Sequence, residues 1–165
     1  MNYQEFERAK ETFPLRAYEK EFKELEAIRR SFVRQFSLRK LEDMTINQFV
    51  EGKGSTDSFC YILERKLDGL GRIRGRWANK FGVWYSSETE KYEFKPKYGK
   101  NHKEAFYNLK HNIIQLIKDA ERGDIKVLIS NPIDSWIKGK ILSTYFPNRY
   151  LNIFSGEHLN HFLRF

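Results

Sequence analysis

Apolar side chains recur in two rhythms along this chain. Over residues 16–36, Tyr18, Phe22, Leu25, Ile28, Phe32 and Phe36 return at steps of three and four, the spacing that lines one face of a helix. Pro14 stands just ahead, where a helix tolerates proline. Thr45 and Gln48 have capping-box spacing before Phe49 and Val50, which predicts a short helix ended by Gly52-Lys53-Gly54. Thr56 or Asp57 is expected to cap a third helix, with Phe59, Ile62, Leu63 and Leu67 inward and Gly69 and Gly71 as its stop.

From residue 80 the period shortens to two. Phe81, Val83 and Tyr85 alternate with Gly82 and Trp84, residues 86–90 are a polar turn, and Tyr92 and Phe94 alternate again. Residues 80–95 therefore read as a β-hairpin, closed by Pro96 and Gly99. The helical period returns over 102–121 (Phe106, Leu109, Ile113, Leu116, Ile117) and over 134–145, ahead of Pro147. Tyr150, Leu151 and Ile153 are expected to add a short strand, and Ser155 to cap a last helix carrying Leu159, Phe162 and Leu163. That helix is still apolar at Phe165, so the chain is expected to be the N-terminal part of a longer polypeptide. The fold class that follows is α+β: one mostly helical domain, residues 1–165, around a small antiparallel sheet.

Composition adds to this picture. With 165 residues, 14 Phe, 9 Tyr and 3 Trp, the chain can fill a core without covalent staples. Cys60 is the single cysteine and lies between Phe59 and Tyr61, so it is expected to be a buried structural thiol in a reducing compartment. No apolar run approaches the ~18 residues of a membrane span, and the charged N-terminus lacks a signal-peptide core. The expected location is the cytoplasm, away from membranes.

Charge changes the picture more. The net charge is +8, but residues 1–64 carry −1, residues 65–100 carry +6 (10 basic, 4 acidic) and residues 101–165 carry +3. A concentrated basic segment attracts polyanions, nucleic acid first among them. Within it, Arg72, Arg74, Arg76, Lys80, Lys95, Lys97 and Lys100 are candidates for the DNA backbone. Trp77, Trp84 and Tyr98 are candidates to meet a base, because flat rings between cations suit stacking beside a neutralised backbone. Phe81, Val83 and Tyr85 are assigned to the core. Trp84 points the opposite way on its strand, and Trp77 follows the arginines in a glycine-containing loop.

Enzymatic signatures are sparse. Gly52-Lys53-Gly54-Ser55 lacks the G-x-x-x-x-G-K-S/T spacing of a phosphate loop. There is no C-x-x-C and no H-E-x-x-H, and His158 and His161 lack companion ligands, so neither a metal nor a cofactor is expected. The chain itself is not expected to be an enzyme. Two alternatives remain open. Asp68, Glu93 and Lys95 could form a metal-dependent nuclease site, since such a site needs carboxylates for the cation and a lysine near the phosphate. A protein-interaction module with a solvated basic face is the other.

The segments FCYILERKLDGLGRIRG, ANKFGVWYS and NPIDSWIKGKILSTYFPNRYLNIFSGEHLNHFL resemble N-terminal regions of McrB-like, modification-dependent restriction proteins. The resemblance covers roughly residues 30–163, and its most specific part is YFPNRYLNIFS followed by EHL. It implies recognition of double-stranded DNA, often methylated, and some of these domains flip the modified base into an aromatic pocket. It also implies an AAA+ GTPase motor further along the same polypeptide and a separate nuclease subunit of McrC type, in an antiviral defence role. Similar segments also precede other effector domains, including HNH nucleases. The resemblance assigns no pocket residue.

Overall fold

The computed structural model describes residues 3–73, 78–154, 156–157 and 160. The expectations for Arg74, Arg76 and Trp77, and for the last helix with Ser155, His158, Leu159, His161, Phe162 and Leu163, fall outside the described residues. In chain order come α1 (Tyr3–Thr12), α2 (Leu15–Gln35), α3 (Leu38–Glu42), α4 (Ile46–Phe49) and α5 (Phe59–Tyr61), which continues as a wider π-turn over Ile62–Lys66. Then follow β1 (Val83–Ser86), β2 (Lys91–Phe94), α6 (His102–Arg122), α7 (Ile125–Ser130) and α8 (Ser135–Tyr145). The architecture is α+β, mostly helical, with a two-stranded antiparallel sheet among the described residues.

Helix α6 is the axis. Asn101 caps its first turn by accepting from the Lys103 and Glu104 amides, and Gly123 closes it in the left-handed conformation (φ 78°). Its face of Ala105, Leu109, Ile113, Leu116, Ile117 and Ala120 is buried, and α3, α7, α8 and both strands pack around it. A second nucleus joins Phe32 of α2 and its C-cap Phe36 to Phe49 and Phe59, with ring centroids 5.0–5.7 Å apart. Contacts of this kind each contribute about 0.5–1.5 kcal/mol beyond the area they bury.

Three lysines close helix ends rather than face solvent. Lys110 donates to the Glu42 and Met44 carbonyls past α3, and Lys138 to those of Leu128, Ile129 and Asn131 past α7. Lys140, fully buried in α8, donates to the Leu67, Leu70 and Gly71 carbonyls at 2.5–2.9 Å. The last carbonyls of a helix lack partners within it, and a cation suits that end of the dipole.

Several elements depart from the sequence reading. The stripe on α2 is buried only at Phe32 and Phe36; Leu15, Tyr18 and Phe22 are exposed, because the first half of α2 projects beyond the core. The third helix is capped by Ser58, which accepts from the Tyr61 amide, rather than by Thr56 or Asp57. Residues 150–154 form no strand. Tyr150 instead donates to the Ala120 carbonyl, and Phe154 packs against Gly71 and Gly139, leaving neither residue on a sheet edge.

Candidate nucleic-acid interface

The hairpin pairs Val83 with Phe94, Trp84 with Glu93, Tyr85 with Tyr92 and Ser86 with Lys91. Alternation puts Val83, Tyr85, Tyr92 and Phe94 toward the core, and Trp84 and Glu93 on the outward face. Gly82 precedes β1 with φ 89°, and a Cβ there would lie 2.5 Å from the Tyr98 ring, so only glycine fits. Beyond β2, Lys95 and the turn Pro96–Tyr98 carry two ammonium groups to one carboxylate. Lys95 Nζ is 2.9 Å from Asp134 Oδ2, and Lys97 donates to Oδ1.

Asp134 stands at the N-cap of α8, yet its side chain makes no capping bond. Burial would raise its carboxyl, but the Lys97 and Lys95 ammonium groups outweigh burial and hold it below the ordinary aspartate range. Two residues on, Trp136 is 51% exposed while Ile137 beside it is buried. Sequence reasoning missed Trp136. Its signal was a tryptophan off the Ile137–Ile141 core face of α8. It also missed Lys53, whose ammonium lies 4.9 Å from the ring centroids of both Tyr85 and Tyr92.

The other expected site residues are dispersed. Arg72 is exposed and lies 3.7 Å from Asp68. Lys100 is exposed; its backbone amide donates to Glu104 Oε2 at 2.9 Å, and among the described residues its ammonium has no carboxylate partner. Lys80 is mostly buried, 2.5 Å from the buried Glu64 carboxylate. Tyr98 is a core residue, 5% exposed, its hydroxyl directed at the Pro132 carbonyl. The space it lines with Phe49, Phe59 and Phe81 has about 10 Å³ of room, enough for one water and not for a base. Trp84 is half-buried.

The nuclease alternative gains no geometry. Asp68 is paired with Arg72, Glu93 accepts from the Thr89 hydroxyl and Lys95 is paired with Asp134. Among the described residues, no hydrogen bond or ion pair joins Asp68 to Glu93 or Lys95. Among the described residues, no three His, Cys, Asp or Glu side chains group to hold a metal ion. Cys60 is buried, and burial pushes its thiol well above the ordinary range, which disfavours the reactive thiolate. Among the described residues, no helix is long and apolar enough to cross a membrane. Compared with models of known families, with curated proteins and with solved structures, the chain finds no match.

Proposed function

We propose that this chain is a cytoplasmic DNA-recognition domain that reads duplex DNA carrying a modified base for a restriction complex. The observation that carries the reading is the convergence of Lys95 and Lys97 on Asp134, at the N-cap of the helix that carries the exposed Trp136, with Trp84 outward on the adjoining hairpin. Cations hold a backbone in register, and an accessible ring gives an extruded base a surface to stack on. The net charge of +8 and the resemblance to McrB-like N-terminal regions support it. By that resemblance the partners are an AAA+ motor in the same polypeptide and a McrC-like nuclease subunit. This chain supplies recognition and no catalysis.

Titrating the chain with modified and unmodified duplexes of equal length, at two salt concentrations, tests the reading. Both duplexes should bind, the modified one more tightly, and affinity should fall as salt rises. No binding to either duplex at low salt would overturn it and leave a second reading, protein interaction. One observation favours that second reading: Phe13, Leu15, Tyr18 and Phe22 form an exposed apolar stripe, each more than half exposed.

A further inference from the structure

We propose that Lys95 and Lys97 form a phosphate seat in which Asp134 is the resident anion, and that duplex DNA binds by displacing its carboxylate. The proposal rests on the DNA-binding reading above and adds the regulation of that site. The two ammonium groups hold opposite oxygens of one carboxylate, Lys95 on Oδ2 and Lys97 on Oδ1. They straddle it as they would straddle the two free oxygens of a phosphodiester. The Asp134 side chain is 36% exposed, and those of Lys95 and Lys97 are 31% and 45% exposed, so an anion from solvent reaches the same donors.

The displaced carboxylate has somewhere to go. An aspartate at an N-cap ordinarily accepts a bond from the second or third helical amide, here Trp136 or Ile137. In the structure Asp134 makes no such bond, because its oxygens face the lysines. Turning the side chain from the lysines to the first turn of α8 frees both ammonium groups and caps the helix. The cluster then passes from a charge of +1 to a free lysine pair of +2. One side chain with two satisfied arrangements is the bistable element that a ligand-driven exchange requires. Trp136 lies on the turn that becomes capped, which couples phosphate capture to the residue offered to the base.

The test is D134N. Asparagine has the same shape, lacks the charge and is an equally good N-cap, so α8 is preserved. D134N should bind duplex about two- to thirtyfold more tightly, the range expected from removing two exposed ion pairs of ~0.2–1 kcal/mol each. Its salt slope should match the wild type's, because the exchange puts the same phosphate on the two lysines in both complexes. Replacing Lys95 and Lys97 by alanine in the D134N background should abolish the gain. If wild type binds and D134N binds equally or more weakly, the exchange is overturned and the DNA-binding reading stands. If neither binds at low salt, both fall. Should D134N not fold, the wild-type Asp134 carboxyl carbon and the Trp136 and Ile137 amides are followed by NMR as duplex is added. They should move together, and an unmoved carboxyl at saturation overturns the proposal.

Discussion

The ion pair between Lys80 and Glu64 is nearly dry, and one oxygen of Glu64 is buried without a partner. Burial raises the Glu64 carboxyl, and the Lys80 ammonium opposes that rise. Lys80→Ala should therefore destabilise the fold by about 3 kcal/mol, the cost of stranding a buried charge. That corresponds to a melting temperature lower by roughly 6–12 °C. In the variant the folded carboxyl lies further above its unfolded value of 4.5, so stability falls as pH rises through that window and recovers in acid. Calorimetry at neutral and mildly acid pH checks both points; an unchanged melting temperature would return Lys80 to the surface. Trp136→Ala should behave in the opposite way. With its ring exposed, stability should change by only ~0.5 kcal/mol. If the ring stacks on a base, binding should weaken by ~1–3 kcal/mol, roughly ten- to 150-fold. A melting curve and a titration separate the two, and equal loss from both duplexes would remove Trp136 from base reading. Trp84, half-buried, should lose in both assays.

At the scale of elements, Lys140 joins α8 to the end of the α5 run and to Gly71, within the basic segment of the sequence. Lys140→Met would strand three carbonyls at about 1–3 kcal/mol for each one left dry, so a loss of about 3 kcal/mol or more is expected. Burial pushes the Lys140 ammonium from 10.5 to about 8. Between those values the unfolded chain holds a proton that the folded chain has released, so stability contributed by this group rises with pH. Melting curves of wild type and Lys140→Met from neutral to alkaline pH should show that rise in the first and not in the second. The strongest local signals did name their elements. Thr45 and Gln48 form the capping box expected of them, Phe59, Ile62, Leu63 and Leu67 are buried, and the hairpin and α6 lie where the two periods put them. Helices α1, α3 and α7 were not legible. The five residues of α3 are too few to display a period, and Ile125, Val127 and Ile129 of α7 alternate like a strand. Asp124, capping the Val127 amide, and the insertion of Leu128 into the core fix α7 as a helix.

For the whole molecule, the segment charge of +6 over residues 65–100 is not the field that a ligand meets. Glu51, Asp57, Glu64 and Asp134, all from outside the segment, pair with Arg65, Lys66, Lys80, Lys95 and Lys97. Two phosphates or three, rather than one for every lysine and arginine, is then the expected count in the DNA titration. The slope of log affinity against log salt should lie near −2 to −3, from ~0.9 per phosphate. The sequence by itself determined the fold class, the hairpin and its facing, and most core positions of α6 and the α5 run. Those depend on periodicity and on residues a few places apart. Only the tertiary structure decided which cations are committed and which rings are open. Lys80 meets a carboxylate 16 positions away and Lys95 one 39 positions away. Tyr98 is covered by the far side of the core, while Trp136 is left exposed on α8. Pairing and burial depend on neighbours brought together by the fold, and distance along the chain carries no record of them.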